Sequence, residues 1–155
     1  MNSVIISIDN LRTYKYDPSI KTAVYVDGDF DEWYSLIKKK FPNVKKIICR
    51  DSRLTNLCCM GIKFLDCSNN KLTFLKTDAK HVKCDNNLLK RLNLPNTSTV
   101  KCNNNKLKHL RCNNALYVEC KNNCLSNLWL PNTLCVICDE DVLVHSPNAI
   151  LFMNK

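Results

Sequence analysis

The feature that most constrains this chain is a repeat of about 18 residues that fills residues 44–147. Six cysteines mark it, at spacings of 18, 17, 18, 18 and 18 residues: Cys49, Cys67, Cys84, Cys102, Cys120 and Cys138. A polar residue follows each cysteine by three, and a leucine stands two residues later, at Leu54, Leu72, Leu89, Leu107, Leu125 and Leu143. Self-similarity at a short fixed period is the signature of a solenoid.

Each copy can be numbered so that Ile62 is position 1 of the second copy. Apolar residues then fall at positions 1, 4, 6, 11, 14 and 16, and asparagine falls at position 9. Positions 4 and 6 alternate with outward positions 3, 5 and 7, which predicts a strand with one buried face. Stacked copies would form a parallel sheet, with the position-9 asparagine bonding backbone groups at the turn. In the last copy Leu143 is expected at position 11, while Ser146 interrupts the position-14 leucines.

The opposite side of each copy is too short for a helix. Pro95 and Pro131 stand at the descending turn, where proline disfavours helix. We therefore expect this convex side to be extended or to form a brief 3₁₀ turn.

The pattern resembles the leucine-rich repeat consensus L-x-x-L-x-L-x-x-N/C-x-L. The copy from Thr97 to Cys112, together with the Leu-Pro-Asn-Thr turns, is similar to the short repeats of secreted bacterial leucine-rich effectors and to repeat proteins of large DNA viruses. The resemblance implies an α/β solenoid whose parallel sheet lines a concave face. It also implies a binding role on host machinery, although this fold hosts many such roles.

The flanking segments are predicted to close the array, because a terminal repeat needs a cover for its apolar face. Residues 4–8 and 22–26 read as strands, and residues 9–20 as a loop. A helix follows Asp29, with an apolar face of Phe30, Trp33, Ile37 and Phe41. We assign residues 1–43 to a strand–strand–helix cap, 44–147 to six repeats and 148–155 to a C-terminal cap or tail, in which residues 149–153 fold back over the open end.

Composition bears on location and partner. Lys and Arg number 23 against 14 Asp and Glu, a net charge of +9, which favours an acidic partner, nucleic acid or an anionic surface. The chain has no long apolar run that would span a membrane, and its first residues lack a basic signal-peptide region. The 11 cysteines, six of them at a buried repeat position, suit a reducing compartment. We expect a cytoplasmic protein, in the cytosol or nucleus of a host cell.

The candidate partner-binding site is the concave face, read from outward positions 3, 5 and 7. Cations, anions and aromatic residues are mixed there, which favours a protein partner, although an ordinary solvated sheet face remains the alternative. The residues selected are Phe64, Asp66, His81, Lys83, Asp85, Lys101, Tyr117, Glu119 and Lys121.

A second candidate surface is a basic lateral edge at positions 10, 12, 13 and 15, which carry no acid in the six copies. Its main residues are Lys71, Lys90, Arg91, Lys106, Lys108 and Arg111. Such an edge would steer an acidic partner, bind nucleic acid or an anionic surface, or merely keep the protein soluble.

The sequence predicts neither a metal site, nor a cofactor, nor a catalytic site. Cys135 and Cys138 lie three apart on a strand and point to opposite faces, and Cys124 has no evident histidine beside it. The leading hypothesis is a non-enzymatic protein-interaction module that uses the concave face. The alternatives are a nucleic-acid or anionic-surface binder that uses the basic edge, and a substrate adaptor for a ubiquitin ligase supplied in trans.

Overall fold

The computed structural model describes residues 3–154. Met1, Asn2 and Lys155, which fall within the predicted cap and tail, lie outside the described residues, as do the side chains of Met153 and Asn154. The N-terminal unit consists of β1 (Ser3–Ile6), α1 (Ile8–Thr13), β2 (Thr22–Tyr25) and α2 (Phe30–Lys40). Strands β1 and β2 pair in parallel, so each helix serves as a crossover to the next strand.

The prediction of a loop over residues 9–20 is wrong in its first part, where α1 forms. Ser7 caps this helix by accepting a hydrogen bond from the Asn10 N–H. Ile8 and Leu11 are buried on one side of the helix. This single turn and a half is too short to show a helical period in the sequence. The cap is therefore strand–helix–strand–helix rather than strand–strand–helix.

Helix α2 confirms the predicted capping and apolar face. Asp29 accepts a hydrogen bond from the Glu32 N–H at 2.8 Å, which satisfies one of the free donors at the helix start. Phe30, Trp33 and Ile37 are buried, and the Trp33 indole N–H donates to the Ile6 carbonyl oxygen at 3.0 Å. This bond ties α2 to β1, so the helix and the first strand of the sheet are fixed together.

The repeat region is built entirely of short strands. In chain order they are β3 (Lys46–Ile48), β4 (Asn56–Cys59), β5 (Phe64–Asp66), β6 (Phe74–Thr77), β7 (His81–Lys83), β8 (Arg91–Asn93), β9 (Thr99–Lys101), β10 (His109–Arg111), β11 (Tyr117–Glu119), β12 (Asn127–Trp129), β13 (Cys135–Asp139), β14 (Leu143–His145) and β15 (Ile150–Asn154).

The strands form two layers. One layer is a nine-stranded parallel sheet in the order β1-β2-β3-β5-β7-β9-β11-β13-β15. The other layer holds three two-stranded parallel sheets, β4 with β6, β8 with β10, and β12 with β14. We call the outward side of the nine-stranded sheet the front face and the outward side of the other layer the back face. The predicted parallel sheet is confirmed, and the opposite side takes the extended form.

The core lies between the two layers, as the periodicity predicts. All six cysteines at position 6 are buried. Asn105 illustrates the turn bonding: its amide donates to the carbonyl oxygens of Cys84 and Cys102 at 3.0 and 3.2 Å, and its side-chain oxygen accepts from the Leu89 N–H at 3.1 Å. Each such asparagine therefore bonds its own turn to the preceding rung. The residue before it adopts a left-handed conformation, for example Asn104 at φ 53°.

The last copy departs from the predicted alignment. Leu143, expected at buried position 11, is 62% exposed, whereas Val142 is 4% exposed. In the back layer Leu128 pairs with Val144, which therefore stands where Ser146 was expected. The turn at residues 140–141 is tighter than in the earlier copies, so the chain reaches the back layer two residues sooner.

The tail also differs from the prediction. Instead of folding back over the open end, Ile150–Asn154 forms a further parallel strand beside β13. Its residues Ile150, Leu151 and Phe152 remain 66%, 42% and 54% exposed. The tail thus adds a rung to the sheet. Neither helix in the described part of the chain has the length and apolar character to cross a bilayer.

Candidate partner-binding face

The front face owes its composition to the register of the parallel strands. Position 3 of one copy lies directly beside position 3 of the next, and position 5 beside position 5. Phe64 is thus the partner of His81, Asp66 of Lys83, and Lys101 of Glu119. Adjacent strands lie about 4.8 Å apart, so outward side chains of neighbouring copies are in contact range.

The first copies of the array form a front cavity of about 350 Å³. The Phe64 and His81 rings stack in one wall, with centroids 4.5 Å apart and planes inclined by 11°. The His81 Nδ1 lies 3.2 Å from the Thr99 hydroxyl oxygen, which fixes the ring orientation. The other outward side chains that line the front cavity are Lys46, Ile48, Asp66 and Lys83. The cavity therefore has an apolar wall and charged groups around it.

A second group of front-face residues surrounds Glu119. The Lys101 amine lies 2.7 Å from Glu119 Oε2, which also accepts a hydrogen bond from the Tyr117 hydroxyl at 3.0 Å. Glu119 Oε1 accepts from the Asn103 amide at 2.9 Å. The Lys101 amine lies 5.5 Å from the centre of the Tyr117 ring, within cation–π range. We call these four residues the Glu119 cluster.

The contacts within this cluster keep Lys101 and Glu119 ionised. Burial works to raise the pKa of Glu119, but the hydrogen bonds from Lys101, Asn103 and Tyr117 together lower it below its usual value. The same contact with Glu119 raises the pKa of Lys101. Both groups are therefore charged at neutral pH, and the Glu119 cluster presents a fixed arrangement of charge and aromatic surface.

The predicted concave-face residues all lie on the front face but divide into two groups. Phe64, Asp66, His81 and Lys83 line the front cavity, and Lys101, Tyr117 and Glu119 belong to the Glu119 cluster. Asp85 and Lys121 join the second group through Asn103. Asp85 accepts from the Asn103 N–H at 2.7 Å, and the Asn103 side-chain oxygen accepts from the Lys121 N–H at 2.8 Å. Burial raises the pKa of Asp85.

The six residues of the predicted basic edge do not all lie on one surface. Lys90, Arg91, Lys106 and Lys108 line one cavity of about 470 Å³, which we call the edge cavity. Arg91, Lys108 and Arg111 line an adjoining cavity of about 370 Å³, the back cavity. Lys71 lines neither cavity, and the copy between Lys71 and Lys106 carries Leu88 rather than a cation at position 10. Arg91 and Arg111 lie on the strands of the back face rather than on an edge.

An aromatic group that the sequence pattern did not predict lies on the back face. Trp129 is 65% exposed at outward position 15, and its ring lies 5.9 Å from that of His145 on the next strand. His109, on β10, lines both the edge and the back cavity. Trp129 shares outward position 15 with the cations of the predicted edge, so the repeat register is the signal that identifies it.

In the part of the chain that the structure describes, the cysteine and histidine side chains do not form a metal site. Within residues 3–154, no group of three His, Cys, Asp or Glu residues converges as a metal-binding set. Cys124 and His109 both line the edge cavity, and the expectation that no histidine lies beside this thiol stays a prediction. Cys58 and Cys124 are both exposed. Cys112 is buried, and burial raises the pKa of its thiol to about 12.

Comparison with known proteins gives no assignment: no protein-family model, curated protein or solved structure matches this chain.

Proposed function

We propose that this protein is a non-enzymatic binding module of short leucine-rich repeats, which captures a protein partner on its front face. One observation carries the proposal. The front cavity, walled by the Phe64–His81 stack, lies on the same rigid sheet as the Glu119 cluster. An apolar recess beside fixed charges is the arrangement that a protruding apolar side chain of a partner protein would fill.

The size and order of this surface support a protein ligand. The front cavity of about 350 Å³ is near the lower limit of ligand pockets, roughly 300–1,000 Å³, and suits one anchoring side chain. His81, Tyr117 and Lys101 are already held by hydrogen bonds. Little side-chain freedom is then lost on binding, which favours affinity.

The charge balance of the front face favours a protein over a polyanion. Arg50 lies 3.6 Å from Asp66, and Lys101 lies 2.7 Å from Glu119. A phosphate backbone on this face would meet the carboxylates of both pairs and of Asp85. A protein partner with both signs of charge can instead complement the mixture and gain specificity from it.

The leucine-rich repeat assignment rests on the residue pattern, and the parallel strands at one rung per copy support it. The pattern and its resemblance to bacterial effectors and viral repeat proteins extend the proposal to a partner in the cytosol or nucleus of a host cell. The fold itself accommodates many binding roles, so the function is argued from the front face.

The proposal is tested by affinity capture from cell lysate with quantitative mass spectrometry. The front-face variant carries Phe64→Ala and Tyr117→Ala. The matched control carries Phe74→Ala and Tyr16→Ala, which remove the same two side-chain types from exposed sites elsewhere, 52% and 66% exposed. We expect to find proteins that the wild type and the control capture in equal amounts and that the front-face variant does not capture. Captured proteins that all three retain alike would refute the proposal.

A further inference from the structure

The back face carries positive charge that no carboxylate in the described part of the chain pairs with. Five cations surround the adjoining edge and back cavities: Lys90, Arg91, Lys106, Lys108 and Arg111. All five side chains are exposed. The ion pairs found within residues 3–154 are Arg12 with Glu32, Arg50 with Asp66 and Lys101 with Glu119, so none involves these five.

Acidic residues are absent from the same region. Between Asp85 and Asp139 the sequence has one acid, Glu119, and this residue lies on the front face in contact with Lys101. The back face of the third, fourth and fifth copies is therefore basic without any carboxylate. Because the two faces lie on opposite sides of the core, the front-face carboxylates do not compensate this charge.

Aromatic and amide groups lie within the basic region. Trp129 contributes to the wall of the back cavity together with Arg91 and Arg111, and its ring lies against His145 at an angle of 37°. His109 and Asn127 line the same cavity. Arg91 pairs in register with His109 on β10, and Arg111 and Trp129 stand at the same outward position of neighbouring copies. β10 and β12 belong to separate two-stranded sheets, so it is the shared back cavity that brings these cations and the tryptophan together.

We propose that the back face binds single-stranded nucleic acid, with phosphates on Arg91, Arg111 and the neighbouring lysines and a base stacked on Trp129. Exposed aromatic rings beside a cationic groove are the elements that bind unpaired bases without sequence preference. A duplex hides its base faces, and this surface offers no helix or ribbon to enter a major groove. The inference is independent of the protein partner proposed for the front face.

The test uses the full chain and two labelled 20-mers, oligouridine and oligodeoxythymidine, in fluorescence anisotropy titrations from 50 to 300 mM salt. If all five cations contact phosphates, log K falls with log salt at a slope of roughly −3.5, about −0.7 per contact. Comparing the two oligomers distinguishes RNA from DNA as the preferred strand, and binding of either supports the proposal.

Variants assign the binding to named residues. Trp129→Ala should weaken binding about five- to a hundred-fold, and Trp129→Phe should restore most of it. Arg91→Gln with Arg111→Gln should reduce the salt slope by about 1–1.5. The matched control, Lys83→Gln with Lys121→Gln, removes two charges from the front face and should leave binding unchanged. All of these side chains are at least partly exposed, and thermal melts verify that the variants remain folded.

Cysteine footprinting supplies a readout in the unmodified protein. Cys124 lines the edge cavity, while the exposed Cys58 lies on β4 at the other end of the back face. Bound oligonucleotide should slow alkylation of Cys124 and leave Cys58 unaffected.

Three results would overturn the proposal. The first is failure of both oligomers to bind at 50 mM salt. The second is loss of binding in the arginine variant with no effect of Trp129→Ala, accompanied by equal affinity for duplex, heparin or anionic lipid vesicles, which would indicate a general polyanion surface. The third is equal weakening by the front-face lysine control.

Discussion

At the scale of single residues, the position-9 asparagines join one copy to the next. Asn70, Asn87, Asn105 and Asn123 each donate to a carbonyl of their own turn and to one of the preceding rung. A backbone carbonyl buried without such a donor costs free energy comparable to a lost hydrogen bond. The repeated asparagine is therefore explained by satisfaction of buried backbone groups.

Replacing one of these residues tests that role. Asn105→Ala should lower the free energy of unfolding by about 1–3 kcal/mol, because it leaves the buried Leu89 N–H without a partner and removes one of the two amide hydrogen bonds that the Cys84 and Cys102 carbonyl oxygens each accept. Leu107→Ala, a large-to-small change at a fully buried site, should cost about 2–5 kcal/mol. The exposed Lys108→Ala is the control and should be near neutral in urea unfolding. Equal midpoints for Leu107→Ala and Lys108→Ala would contradict the register.

The buried thiols predict a loss of stability at alkaline pH. The pKa of Cys112 is raised by burial to about 12, above the value of about 8.5 for an exposed thiol. Below pH 8.5 both states hold the proton; between about 8.5 and 12 only the unfolded chain releases it, so stability falls as pH rises. Each such thiol contributes a slope of about 1.4 kcal/mol per pH unit. Cys112→Ala should reduce the slope of unfolding free energy by that amount between pH 9.5 and 11, and an unchanged slope would contradict it.

At the scale of elements, the final copy shows which part of the fold the repeat period predicts and which part it does not. The repeat pattern places the buried apolar side chains of the middle copies correctly, because the turn that follows the position-6 cysteine has the same length in each of these copies. The tighter turn at residues 140–141 puts Val142 where Leu143 was expected and Val144 where Ser146 was expected, and all three residues from 142 to 144 are apolar. Val142, Leu143 and Val144 therefore fit either register until the strand pairing is known.

This register predicts opposite effects for two adjacent residues. Val142→Ala should cost about 1–3 kcal/mol because the side chain is 4% exposed, whereas Leu143→Ala should be nearly neutral because that side chain is 62% exposed. Chemical denaturation of both variants is the measurement. A larger loss of unfolding free energy for Leu143→Ala than for Val142→Ala would contradict this register and support the alignment expected from the repeat period.

Two glycines, one in the cap and one in the first repeat, allow a matched comparison. Gly28 and Gly61 both have positive φ, 95° and 77°, so a side chain is strained at either. A Cβ at Gly28 would also lie 2.7 Å from Ile8 Cγ2, while one at Gly61 would have only the Lys38 amine, at 3.7 Å. Gly28→Ala should therefore destabilise more than Gly61→Ala, by at least about 1 kcal/mol in thermal melts. Equal melting temperatures for the two variants would contradict the position of Ile8, and therefore of α1, against Gly28.

At the scale of the whole molecule, sequence predicted the layers better than the surfaces. The apolar period defines which side chains point inward, and with them the parallel sheet. Which outward residues meet depends on the register between rungs, and it is this register that stacks Phe64 on His81 and adds Trp129 to the cations of the back face. Helix α1 and the added strand β15 were missed because each is too short to show a period of its own.

The front and back faces are proposed to bind different ligands independently. The direct measurement is a crossed binding experiment, with the Phe64→Ala/Tyr117→Ala variant and the Trp129→Ala variant each assayed for protein capture and for oligonucleotide affinity. We expect the first variant to lose only the captured protein and the second to lose only oligonucleotide affinity. Loss of both activities in either folded variant, or of neither in both, would contradict it.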